Sequence, residues 1–257
     1  MALLLILELL GTLATYTFAP KLINQLHIPP LLVTSLYDSG CMITIWLANH
    51  FLTKQATFWT FDRQQVAGFF KSLTGKRIFL ILLLIIYFLL SIMRHPNQLL
   101  EGLVDGGCTA IVEEFLFRGI VLGYLLRVIK PSKNQSIWLA IILSSLVFAF
   151  AHLGNAQVQP LLDTLFQVLQ AFGVGLLLAA LYLKTGSLIS SMLLHFLIDF
   201  NSLAADAASE STAYNSSILV STVVSIIVIT IFFLLCRALL KDKHDLTLLN
   251  RPLDINN

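Results

Sequence analysis

The chain has 257 residues, 57% of them hydrophobic and 12% charged, with a mean hydropathy of +0.86. Soluble domains carry about 25% charged residues. Too few polar groups remain to cover a surface in water, which excludes a cytosolic enzyme, a disordered chain and a secreted disulfide scaffold.

Crossing a bilayer as a helix takes about 20 apolar residues. Eight runs approach that length: 2–18, 30–52, 77–93, 102–126, 136–153, 161–183, 186–203 and 217–236. The pattern predicts an all-α fold, a polytopic membrane bundle of about eight helices. Span one lacks a basic leader and is interrupted by Glu8, so it reads as a retained helix rather than a signal peptide. The stretch 54–76 mixes Phe58, Trp59, Phe61, Phe69 and Phe70 with Arg63, Lys71 and Lys76. That pattern predicts a helix lying on the membrane surface. The tail after Arg237 is polar and reads as flexible. Three regions follow: 1–101 with the first helices and the interfacial segment, 102–203 as a core, and 204–257 with the last helix and the tail. Cys41, Cys108 and Cys236 show no CxxC spacing, so neither a disulfide framework nor a zinc knuckle is readable.

Basic residues in loops favour the cytoplasmic side. With the N-terminus inside, thirteen of the sixteen Lys and Arg fall on the inner side; only Lys21 and Arg94 fall outside, and Arg118 lies within a span. The expectation is a multi-pass protein of the cell membrane with both termini cytoplasmic. Net charge is +2, too small to argue for nucleic-acid binding.

A charge deep in hydrocarbon costs at least ~2.5–3.5 kcal/mol on insertion scales. Glu8, Asp38 and Asp163 stand singly and read as helix-end or helix–helix contacts. The others cluster. Span four carries Glu113, Glu114 and Arg118, span five ends in Phe148-Ala149-Phe150-Ala151-His152, and span seven carries His195, Asp199 and Asn201. Glu114 and Arg118 are four apart and share a helix face, as do His195 and Asp199. Glu113 lies about 100° round the helix from Glu114. Phe148 sits one turn before His152 and can brace its ring. Span five places His152 near its end whereas His195 is mid-span, so the helix either continues past His152 or enters deeper than the hydropathy shows.

Face to face, these residues form one polar site. A carboxylate and a histidine can share a water whose proton the carboxylate takes. A second histidine with a nearby carboxyl or amide can donate hydrogen bonds to an oxyanion. The set suits peptide-bond hydrolysis. Glu113, His152 and His195 are also zinc-ligand types, but no HExxH is present, so metal dependence stays open. A proton relay for a transporter is the competing chemistry, but no internal repeat supports it. Gly102/Gly106 and Gly119/Gly123 permit close helix approach, more readily within one chain than in a dimer.

EExxxR, then FxxxH, then HxxxN/D, each on its own span, resembles the CPBP family, which comprises the type II CAAX prenyl endopeptidases and the bacterial bacteriocin-processing and immunity (Abi) proteins. The matching core runs from about Gly102 to Asn201. The resemblance implies an intramembrane endopeptidase with its site between core helices, acting on membrane-associated or lipidated peptides. Membrane lipids and a peptide or lipidated protein are the implied partners. Glu113 would activate water with His152 as its partner. His195 and Asp199 would form the oxyanion wall, Glu114 would assist, and Arg118 would fix Glu114. The prenyl-processing enzymes have Asn where this chain has Asp199. An ionised Asp cannot donate a hydrogen bond, so Asp199 either orients His195 or acts protonated. Asn201 faces away and does not replace it. A non-catalytic immunity or scaffold protein with the same motif is the second reading.

Overall fold

The computed structural model describes residues 27–60, 99–130, 134–209, 218–241 and 246–250, with isolated positions between 82 and 93. The helices in chain order are α1 (Pro30–Ala48), α2 (Leu99–Glu114), α3 (Gly123–Ile129), α4 (Asn134–Ala151), α5 (Leu161–Thr185), α6 (Leu188–Ser209) and α7 (Ile218–Leu239). Four described helices are long and apolar enough to cross a membrane: Pro30–Thr53, Gln135–Gln157, Leu161–Thr185 and Ile218–Leu239. A shorter apolar helix spans Leu188–Ser202. The protein is a helical membrane bundle. The predicted span 2–18 lies outside the described residues, and 77–93 is described only at isolated helical positions.

Helix α5 sits at the centre. Helices α4, α6 and α7 pack round it, α6 packs on α2, and α2 packs on α1. A run of residues from Ala171 to Leu183 gives α5 its buried surface, while α7 is lined with exposed Ile, Leu and Val side chains. Lipid tails are the natural solvent for that face, since every backbone polar group of a helix is satisfied within it. Hydroxyls on exposed surfaces find partners the same way: Ser39, Thr44, Thr222 and Thr230 each donate to the carbonyl four residues back.

Small residues set the closest approaches. A Cβ at Gly102 would stand 2.8 Å from the Phe200 ring, and one at Gly106 would meet Asp199 Cβ and the Phe200 backbone at 3.5 Å. These two glycines therefore let α2 and α6 touch within one chain. Gly119 and Gly123 serve residues 54–60: a Cβ would meet Thr57 Cγ2 at 3.0 Å and Gln55 Oε1 at 3.7 Å. At Gly175 a Cβ would meet the Cα and Cβ of Ser145 on α4, at 3.1 and 3.0 Å.

The described residues depart from two expectations. Residues 54–60 are not part of an interfacial helix; residues 61–76 lie outside the described residues. The chain leaves the first helix at Lys54, with φ of 50°, and crosses the core as an irregular strap. Its Phe58 and Trp59 carbonyls accept the Leu188 and Ile189 N–H groups at 2.8 and 3.3 Å, and Trp59 also accepts Ser187 Oγ at 2.8 Å. The first N–H groups of a helix have no partner inside it, so the strap caps α6 from a distance. Aromatic residues there pack on protein rather than on headgroups: the Trp59 ring stacks on Phe115 at 5.5 Å. The tail is not wholly free either. Helix α7 runs on to Leu239, and a 3-10 turn at Thr247–Asn250 docks by burying Leu248 while Thr247 Oγ1 donates to the Lys184 carbonyl.

Overpacking a tight contact costs about 1–3 kcal/mol. Gly175→Ala should therefore lower stability by that amount in denaturant titrations in detergent. Gly40→Ala, where a Cβ meets nothing within 4 Å, should instead be neutral or stabilise by up to about 1 kcal/mol through helix propensity.

Candidate functional site

Glu114 is the last α-helical residue of α2; a π-helical run follows over Phe115–Leu122. Such wider turns are frequent at functional sites. All eight residues of the run are buried, Arg118 among them. Ser144 Oγ on α4 donates to the Phe117 carbonyl at 3.1 Å, which ties the wide turn to its neighbour.

Glu114 and Arg118 pair at 2.6 Å with both side chains wholly buried. The same Glu114 Oε1 lies 2.9 Å from His195 Nδ1. A carboxylate held by arginine can only accept, so His195 donates through Nδ1. Its Nε2 then faces Asp199 Oδ2 at 3.4 Å and Glu113 Oε2 at 3.6 Å. Those separations lie beyond ordinary hydrogen-bond length. The side chains of Glu113 and Asp199 remain 24% and 26% exposed, against 0% for Glu114 and 4% for His195. Exposure thus separates the roles available: Glu113 and Asp199 can meet a substrate, and Glu114 cannot.

Phe148 joins the second histidine to this group. Its ring meets His195 edge-on at 5.6 Å and His152 edge-on at 4.9 Å. The Arg118 guanidinium lies over its face, 4.2 Å from the centroid, a favourable placement for a cation. His152 Nδ1 lies 3.0 Å from the Phe148 carbonyl, which again can only accept. His152 therefore donates through Nδ1 and presents Nε2. Helix α4 ends at Ala151, and a 3-10 segment, His152–Gln157, carries the chain on. The helical path does continue past His152, with a change of pitch at that residue.

The structure thus brings Glu113, Glu114, Arg118, His195 and Asp199 into one group, with His152 joined through Phe148 rather than by an ion pair. Sequence reasoning set Asp38 aside as a helix contact. It does contact α2, opposite Thr109, but it also lies within electrostatic reach of Asp105 and Glu113. One turn earlier Thr34 donates to Asp105 at 2.7 Å. The signal was there, because Asp38 follows Thr34 by four residues, but only the parallel packing of α1 on α2 reveals its direction. Asp163 is exposed in the first turn of α5, where the helix dipole favours an acid. Glu8 lies outside the described residues. Among the described residues no group of three His, Cys, Asp or Glu side chains is arranged to hold a metal ion, so Glu113, His152 and His195 do not form a ready ligand set.

Residues 95–201 match the family described as type II CAAX prenyl endopeptidase Rce1-like. The matched segment contains every residue of the group. No curated protein and no solved structure gives a significant match.

Removing one partner of a buried ion pair costs about 3–5 kcal/mol, because the other charge is stranded. Arg118→Met should therefore destabilise the protein by that amount in thermal unfolding. Adding Glu114→Gln to it should recover most of the loss.

Proposed function

We propose, from the match of residues 95–201 to the type II CAAX prenyl endopeptidase Rce1-like family, that the chain is an intramembrane endopeptidase working by glutamate and histidine. The observation that carries this reading is the accessible Glu113 carboxylate beside a histidine whose orientation a buried ion pair fixes. The family to which the domain belongs contains peptidases, and the site has the groups that amide hydrolysis needs.

Glu113 accepts a proton from water as the water oxygen bonds to the scissile carbonyl carbon. His152 Nε2, free of its own helix, shares that water. The carbonyl oxygen takes up the negative charge. His195, when doubly protonated, points Nε2–H toward the opening between Glu113 and Asp199 and can donate to that oxyanion. The C–N bond then breaks, and Glu113 passes its proton to the leaving amine. Asp199 Oδ2 lies 3.4 Å from the same nitrogen, close enough for its charge to bias the orientation of the ring. Arg118 and Glu114 hold the ring from the other side and touch no substrate.

Each of these steps is carried by the chain's own side chains. The substrates are membrane-associated or lipidated peptides and proteins, with bacteriocin processing or immunity as the cellular setting. Membrane lipids and such a peptide are the partners, and nucleic acid is not. The protein sits in the cell membrane with both termini cytoplasmic, supported by the one-sided distribution of its Lys and Arg.

The test uses purified protein in proteoliposomes with two quenched fluorescent probes: a farnesylated CAAX peptide and an unlipidated apolar peptide. General-base catalysis contributes about 10²–10⁴-fold, and Glu113→Gln should lower kcat within that range while the protein stays folded. Zinc chelators should leave the rate unchanged. Wild-type cleavage by Glu113→Gln would overturn the glutamate mechanism. Loss with chelator and recovery on adding zinc would replace it with a metal one.

A further inference from the structure

His152 sits where α4 changes from α to 3-10 geometry. A 3-10 segment is short-lived on its own, because its hydrogen bonds are poorly aligned. Something outside it must hold it, and the structure shows what does. The Asn155 carbonyl accepts the N–H groups of Val158 and Gln159, each at 3.0 Å, closing the turn. The Asn155 side chain reaches across to α5, where Nδ2 donates to Gln167 Oε1 at 2.9 Å. Gln159 Nε2 donates to the same oxygen at 2.7 Å, and also to Thr164 Oγ1 at 3.1 Å. Thr164, wholly buried, passes its own proton to the Pro160 carbonyl at 3.2 Å.

Gln167 Oε1 thus takes two donors that lie four residues apart on the incoming chain. A 3-10 helix repeats every three residues, so Asn155 sits directly over His152 on the same edge. Pinning Asn155 to α5 fixes the rotation of the turn that carries the His152 ring. The ring's other restraints, the Phe148 carbonyl and the Phe148 ring, come from α4 alone. They fix His152 relative to α4 but not relative to the wall across from it.

We propose that Asn155 and Gln167 are positioning residues for His152, with Gln167 acting as a double acceptor that docks the His152 turn onto α5. The proposal rests on the reading of His152 as part of a hydrolytic site. The chemistry required of Gln167 is acceptor capacity at one oxygen. A carboxylate supplies that equally. A thioether of the same length does not supply it.

Three proteins test this in proteoliposomes with the farnesylated CAAX probe: wild type, Gln167→Met and Gln167→Glu. Displacing a reacting group by 1 Å costs about 100-fold. Gln167→Met should lose kcat on that scale with KM within about two-fold, and Gln167→Glu should stay within about three-fold of wild type. A purely structural link would lower the unfolding temperature of Gln167→Met and leave kcat alone. A second readout needs no substrate: the His152 Cε1–H resonance, assigned with His152→Gln. It should be single in wild type and Gln167→Glu, and broadened or split in Gln167→Met. An unchanged His152 resonance and unchanged kcat in Gln167→Met would overturn the proposal. Should wild type cleave neither probe, the endopeptidase reading fails, and the resonance still decides whether Gln167 positions the ring.

Discussion

A carboxylate and a guanidinium buried completely inside an apolar bundle are the constraint on which this site depends. Desolvation costs several kcal/mol per ion even after relaxation, and only good geometry and further hydrogen bonds repay it. Glu114 and Arg118 meet at 2.6 Å, His195 adds a second contact to the same oxygen, and the Phe148 face covers the guanidinium. Such a pair is weak evidence for stability. Its value here is register. Glu114 belongs to α2, Phe148 to α4 and His195 to α6, so the pair meets both His195 and Phe148 only when three helices sit at one height and rotation.

The close approach of α2 and α6 follows from composition. Gly102 and Gly106 remove the side chains that would hold the helices apart, and small residues are the usual means of association in lipid. Contact at Gly106 and Asp199 brings Glu113 and Glu114, two turns further along α2, beside His195, one turn back along α6. The carboxylate pair then divides by direction. Glu114 turns inward to the ion pair, and Glu113 keeps partial access. Adjacent positions on one helix can therefore differ in access, a difference that exposure shows and residue type cannot.

Much of this was legible in the sequence because it is local. Helix ends fell at Lys54, Lys130 and Gly186, all with positive φ, and each lies in a break that hydropathy marks. The Glu114–Arg118 and His195–Asp199 pairings follow from four-residue spacing, and so does the contact of Phe148 with His152. What was not legible depends on distant partners. Aromatic and basic residues in 54–76 look interfacial, yet Phe58 and Trp59 are taken up by the start of α6. The π-helical run after Glu114 leaves no composition signal of its own, because apart from Arg118 its residues are ordinary apolar ones. Leu246 and Leu248 read as part of a polar tail until Thr247 finds the Lys184 carbonyl. Asn155 in the 3-10 segment and Gln167 on α5 are common polar residues, and only their shared hydrogen bond distinguishes them.

The two histidines repeat one device. Each gives its Nδ1–H to a fixed acceptor, the Phe148 carbonyl for His152 and the Glu114 carboxylate for His195. Which nitrogen of a histidine does chemistry is set by the bond the other one makes. Both rings therefore present Nε2, and both rest edge-on against Phe148. The acceptors differ in charge, however. A neutral carbonyl stands behind the His152 ring, whose Nε2 is left as its acceptor. A carboxylate stands behind the His195 ring, and its Nε2 faces Asp199 and Glu113. One anchoring geometry with two kinds of anchor thus presents two Nε2 atoms that differ in the charge behind their rings.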